Sequence, residues 1–144
     1  MVHSPILGPV VALVAWSLVM MLWMAATRLP AMRRKGIAFK GLVGSRGADL
    51  EGVLDPQVQW KSHNYAHLME QPTLFYAVAL ALALMGQGVE LNLWLAWAYV
   101  ALRVVHSIVQ ATTNVVRIRF ALFLLSSLAL VALTVHAAAA LLHR

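Results

Sequence analysis

Two sets of polar residues interrupt otherwise apolar stretches of this 144-residue chain, and both recur at helical spacing. Arg103, His106, Gln110, Asn114 and Arg117 fall at offsets 0, 3, 7, 11 and 14, which on one helix is a single stripe. His63, His67 and Glu70 fall at i, i+4 and i+7, with Gln71 beside them and Asn64 one step round, so a continuous helix would put them on one face. A carboxylate set a turn or two inside an apolar span costs several kcal/mol, of order 3, unless it is paired or hydrated. The sequence therefore predicts that Glu70 meets Arg103, the deepest residue of the other stripe, in a buried ion pair. Such a pair would make a polar nook within the apolar bundle, near the cytosolic membrane surface. The plainer alternative is that these groups only hold the bundle together, as buried polar contacts in membrane helices do.

Other chemistries fit less well. His63 and His67 have the i, i+4 spacing of two metal ligands on one helix, with Glu70 as a possible third, but the guanidinium groups of Arg103 and Arg117 would repel a divalent cation, so no metal is expected. The absence of cysteine excludes disulfides and thiolate metal sites. A reactive thiol would have to come from a ligand. His136 reads as a satisfied interior histidine. Trp16, Trp23, Trp60, Trp94 and Trp97 read as interface anchors or packing groups.

The elements that must position these residues are membrane spans. The chain is 62% hydrophobic and 11% charged, against about half and a quarter in soluble domains. No acidic, basic or histidine residue occurs between Val10 and Ala26; only Glu90 does between Pro72 and Val100, and only His136 between Phe120 and Leu142. Runs near twenty residues match the roughly 30 Å hydrocarbon core of a bilayer and must be helical there. The reading is an all-α membrane protein, a four-transmembrane-helix antiparallel bundle in one domain. The spans run about 6–27, closed by Arg28 and Pro30, then 63–86, 91–114 and 118–142. The first has no basic residue before it and a longer apolar run than a signal peptide, so it is expected to be retained. Gly86 and Gly88 supply one tight turn, and "NVVRIR" forms another.

The one long connection, 29–61, carries Arg33, Arg34, Lys35, Lys40, Arg46 and Lys61, and the short link on the same side carries Arg117 and Arg119. The opposite side offers Glu90, His3 and Arg144. The net charge of +6 is thereby explained by topology and not by nucleic acid. The positive-inside rule puts the loop in the cytoplasm and both termini outside, as in a bacterial inner membrane.

"HNYAHLMEQP" and "ALRVVHSIVQATTNVVRIRF" together resemble the MAPEG family, membrane-associated proteins in eicosanoid and glutathione metabolism, and the likeness covers nearly the whole chain. The second-helix signature of that family is Arg, Asn four later, Glu three after that, then Pro. Here His63 and His67 stand at the Arg and Asn positions, and Glu70 and Pro72 keep theirs. Arg103 matches the family's buried arginine, Arg117 the arginine that contacts the glutathione thiol, and His106 and Gln110 the positions of glutathione-binding tyrosines. The resemblance implies a homotrimer with a site between subunits, glutathione as co-substrate, and a lipophilic small molecule arriving through the membrane lipids. The activity implied is that of a transferase or peroxidase, with Arg117 stabilising the thiolate and His63, Asn64, His67, Glu70, Arg103, His106 and Gln110 holding the peptide. A non-catalytic member of the fold that binds a lipid or a partner protein is the alternative.

Overall fold

A computed structural model describes residues 3–142 except 39 and 42; Arg144, counted above among the charges of one side, lies outside the described residues. Five helices follow one another: α1 (Leu7–Arg34), α2 (Pro56–Leu68), α3 (Gln71–Leu84), α4 (Glu90–Thr112) and α5 (Val116–Leu142), with one 3-10 turn at Gly47–Leu50. Among the described residues there is no strand. α1, α4 and α5 are long and apolar enough to cross a membrane, and α2 with α3 forms the remaining arm of a four-part antiparallel bundle.

That arm is not the continuous helix expected over 63–86. It breaks at Met69 and Glu70, and Glu70 adopts φ −90°, ψ −99°. Pro72 is the cause: proline has no N–H to return to the carbonyl four residues back, and its ring clashes with that carbonyl. The same residue type starts α2 seven residues earlier than expected, because Pro56 stands in its first turn, where no donor is needed.

α1 also departs from expectation. It does not close at Arg28 and Pro30 but runs on to Arg34 with Pro30 inside. Pro30 is exposed, so its ring meets no packed neighbour, and the turn beyond it is held by tertiary contacts. Ala31 and Met32 are buried there with Leu54, and Ile37, Leu50 and Val58 pack around them. This small second core, at the end of the bundle, is what the long connection folds onto. Arg28 ties the same region together, its guanidinium donating to Ser62 Oγ at 2.8 Å and to the Gly47 carbonyl at 2.6 Å.

The main core runs between the long helices and includes Leu13, Met20, Phe75, Leu82, Tyr99 and Leu133. Alanines at 79, 96, 111, 129 and 137 are buried at the crossings, and small residues are what allow membrane helices to approach closely without a hydrophobic driving force. Phe75 stacks on Tyr99 with ring centroids 4.5 Å apart. Tyr99 Oη donates at 3.4 Å to Gln71 Oε1, and Gln71 Nε2 donates at 2.8 Å to Ser127 Oγ. One side chain thus links α3, α4 and α5. The outward faces carry Val11, Leu18, Leu22, Leu74, Trp94, Leu128 and Val135, a surface suited to hydrocarbon.

Both ends of the bundle are closed by turns with specific backbone needs. At the far end, the Ile6 amide donates to the Gly88 carbonyl at 3.2 Å, and a Cβ on Gly88 would lie 2.2 Å from Ser4 Oγ and 2.6 Å from Ile6 Cγ2. His136 Nδ1 and Asn92 Oδ1 meet there at 2.6 Å, giving His136 the partner its interior position requires. At the loop end Asn114, with φ 54°, reverses the chain between α4 and α5; asparagine tolerates the left-handed region better than most residues.

Gly88→Ala is expected to lower stability by about 1–3 kcal/mol, the usual cost of overpacking, read as a lower midpoint of thermal unfolding in detergent. Gly8→Ala, whose added Cβ would find its nearest neighbour at an ordinary 3.4 Å, should not, and a Gly88→Ala protein as stable as the parent would contradict the close approach.

Candidate functional site

The polar residues of α2 and α4 do come together, around a guanidinium. Arg103 is 0% exposed. Its Nη2 donates to His67 Nδ1 at 2.8 Å and to the His67 carbonyl at 3.1 Å. Arginine can only donate, so Nδ1 of His67 accepts and the ring proton sits on Nε2. The His67 ring stacks on His106 at 4.9 Å and meets the edge of Phe123 at 5.7 Å. Arg103 lies over the Phe123 ring at 6.0 Å from its centroid. One turn up α2, Asn64 Nδ2 donates to Ser107 Oγ at 2.7 Å in a buried contact.

The break in the second arm explains why a buried arginine can do without a carboxylate. His67 lies in the last turn of α2, where carbonyls lack following amides and the helix dipole presents roughly half a negative charge. Pro72 ends the helix there, and the His67 carbonyl, left with a long 3.4 Å bond from the Glu70 amide, also accepts from Arg103. The interior cation is thus held by a helix C-terminus and a neutral imidazole.

The expected ion pair between Glu70 and Arg103 is not formed. Glu70 is exposed at the start of α3, and its carbonyl, not its carboxylate, is engaged, accepting from Thr73 Oγ1 at 2.6 Å. The i+7 relation to His63 assumed an unbroken helix, and the break rotates Glu70 off that face. The three residues expected to share a face therefore separate. His63 is exposed and pairs with Glu51 of the long connection, His67 turns to Arg103, and Glu70 turns outward.

The stripe on α4 is upheld for Arg103, His106 and Gln110, all buried, but it ends there. Asn114 is in the turn, and Arg117 lies beyond it on the first turn of α5, exposed. Arg119 is the arginine that faces the cluster. It donates through Nη1 to Asn114 Oδ1 at 2.5 Å, and with His67, His106, Val116, Phe120 and Phe123 it lines a cavity of about 190 Å³. Sequence reasoning missed Arg119, Phe123 and Ser107. Ser107 stands four residues after Arg103 and shares its face, a signal that could have been read. Arg119 sits two residues from Arg117, and helical spacing across a turn could not choose between them.

The cluster has hydrogen-bonding capacity to spare. Nε and Nη1 of Arg103, Nε of Arg119, Oδ1 of Asn64 and Oε1 of Gln110 are buried without a partner among the described residues. Such groups cost about 1–3 kcal/mol each. Of these residues Arg119 lines the cavity of about 190 Å³, and no carboxylate lines it. The chemistry this favours is stabilisation of an anion at an apolar wall.

A second cavity, of about 500 Å³, adjoins this end and is lined in part by Glu51, Asp55, Gln59, His63 and Asn114. A third hollow, of about 770 Å³, lies between α1 and the long connection, among Met24, Leu29, Met32, Ile37 and Leu50 with Arg28 and Arg46 at its wall.

Compared with known proteins, the chain matches the model described as MAPEG family over residues 6–139. No curated protein and no solved structure matches it.

Glu70→Gln should leave thermal stability within about 0.5 kcal/mol of the parent, as surface changes do. Arg103→Ala should cost about 2–3 kcal/mol, because it strands the His67 carbonyl and opens a gap. Unfolding midpoints measured on the two variants in the same detergent check this, and equal losses would restore the ion pair.

Proposed function

The chain belongs to the MAPEG family, and on that footing we propose that it is an integral membrane, glutathione-dependent transferase or peroxidase acting on lipophilic electrophiles or hydroperoxides. The family includes glutathione transferases and peroxidases. The observation that carries the reading is the cationic cavity of His67, His106 and Arg119, whose other walls, Val116, Phe120 and Phe123, are apolar. Val116 and Phe120 are exposed on the outer surface of α5, where a substrate dissolved in lipid would arrive.

A thiol of pKa about 8.5 is mostly protonated at neutral pH, and a guanidinium beside it favours the thiolate. We assign that role to Arg119. Arg117, at the position the family resemblance indicates, is exposed on the outer side of the same turn. Arg119 keeps Nη2 and Nε outside its bond to Asn114 and shares the cavity with the rings of His67 and His106, which can orient a ligand by hydrogen bonds. The thiolate then attacks an electrophilic carbon, forming the C–S bond as the leaving group departs. With a hydroperoxide it attacks oxygen: the O–O bond breaks, the alcohol leaves with a proton, and a second glutathione closes the disulfide and releases water. Arg103, Asn64 and Gln110 position α2 against α4 and hold the histidines in place.

The same reading makes the assembly a homotrimer. It sets the protein in a bacterial inner membrane with the long connection and its arginines and lysines in the cytoplasm and both termini outside, the arrangement that loop charge favours. A second reading, a non-catalytic member that binds a lipid, is favoured by the apolar hollow beside Arg28. It would show a co-purifying amphiphile and no turnover.

With glutathione at neutral pH, the purified protein should show thiolate absorbance. Arg119→Ala should reduce it about tenfold or more, the effect of one charge-assisted hydrogen bond, while Arg117→Ala retains it. The reverse pattern would move the thiol to the outer face of α5, and no thiolate signal in the parent protein would remove the proposed chemistry.

A further inference from the structure

The hollow of about 770 Å³ beside α1 shares no residue with the cavity at Arg119. Met24, Arg28, Leu29 and Met32 line it from one face of α1, and Ile37 and Leu50 line it from the long connection. Arg28 stands 21 residues after Leu7, where α1 begins. That is about 32 Å of helix, close to the roughly 30 Å thickness of bilayer hydrocarbon. α1 therefore reaches the membrane surface at Arg28, with Met24 a turn inside it. Trp23 marks the same level, with Lys61 Nζ 5.6 Å from its ring centroid, as aromatic and basic side chains do at a bilayer interface.

The charges at that level are of one sign in excess. Arg28 and Arg46 both line the hollow, one from α1 and one from the connection. Arg28 is held by neutral acceptors, the Ser62 hydroxyl and the Gly47 carbonyl, so its charge is not cancelled. Gly47 permits the approach, since a Cβ there would lie 3.1 Å from Arg28 Nη1. One carboxylate, Asp49, also lines the hollow, and it accepts from the Arg46 amide at 2.7 Å. Arg33 and Arg34 follow in the last turn of α1, both exposed. Among the described residues none of these four arginines forms an ion pair.

We propose that this hollow binds one anionic phospholipid from the leaflet on the side of the long connection. Its phosphate lies between Arg28 and Arg46, and the upper part of an acyl chain lies along Met24, Leu29 and Met32. Arginine suits the head because its planar fork meets phosphate oxygens in pairs, and basic pockets at this depth are where anionic headgroups are held. A soluble anion would leave the apolar wall unfilled, and a zwitterionic lipid would leave the excess positive charge uncompensated. Bound there, the lipid bridges α1 and the connection, which otherwise meet through the small core of Ala31, Met32 and Leu54. It is a tenant of the folded chain whether or not a thiol reacts at Arg119.

The full-length protein in detergent is titrated with phosphatidylglycerol, with phosphatidylcholine of the same chains, and with glycerol phosphate. Binding is read from the rise in unfolding midpoint, because a ligand of the folded form alone stabilises it by mass action. Phosphatidylglycerol is expected to bind about tenfold more tightly than phosphatidylcholine, the worth of one charge-assisted contact. Arg46→Gln should abolish that preference and Arg33→Gln should keep it, while glycerol phosphate produces no shift at the same concentrations. Arg46 is exposed, so its variant should fold, and an unchanged midpoint without lipid verifies that. Equal or absent binding of the two lipids, or a preference that survives Arg46→Gln, would overturn the proposal. So would an equal loss in Arg33→Gln, which means diffuse attraction without a site, or a matching shift with glycerol phosphate, which means a soluble anion. No thiol enters these measurements, so their failure leaves the chemistry assigned to Arg119 untouched.

Discussion

A guanidinium buried in a membrane bundle is the costliest group in this structure, and the architecture around it follows from how that cost is met. Among the described residues no carboxylate is hydrogen-bonded to Arg103. It is met by the His67 carbonyl and ring nitrogen, at a helix end whose dipole is negative. In an unbroken helix the Gln71 amide would bond that carbonyl; at the break only a long 3.4 Å bond from the Glu70 amide remains beside the one from Arg103. The interruption that Pro72 enforces places a helix end beside the interior cation, and the cation in turn holds that end against α4.

The rest of the bundle divides along its length accordingly. The far end is closed by backbone contacts and tight turns with few polar groups. The loop end holds the histidines, the amides, Arg119 and the small core of Ala31, Met32 and Leu54. An aqueous molecule and a lipid-soluble one can meet only where a wet surface and an apolar one adjoin, and at Arg119 they do. Polar groups on α2 and the long connection stand on one side of it, and the exposed apolar residues of α5 on the other.

Much of this was legible from residue order. Apolar runs near twenty residues gave α1, α4 and α5 to within a few residues at most ends, because in hydrocarbon a long apolar segment has no alternative to the helix. Arg103, His106 and Gln110 at offsets of three and four were correctly grouped for the same reason, since nothing interrupts α4. The failures lie where a single residue changes direction. Pro72 stands beside Glu70 in the family signature, and its steric effect on the preceding turn rotates Glu70 away. Pro30 does not end its helix, because packing of Ala31 and Met32 outweighs the same effect there. Arg117 falls on the stripe only if the helix continues through Asn114, where the chain instead turns. The pairing of Glu51 with His63 joins residues twelve apart across a stretch with no periodicity, and no spacing rule reaches it.

Asn114 has two duties that its position makes inseparable. Its backbone, at φ 54°, turns the chain between two helices, and its side-chain oxygen fixes the aim of Arg119. Glycine would suit the reversal and release the arginine, whereas aspartate would grip the arginine and alter the local charge. Hairpin shape and cation placement are consequently one variable here, and whatever reshapes this corner of the molecule also retunes its electrostatics.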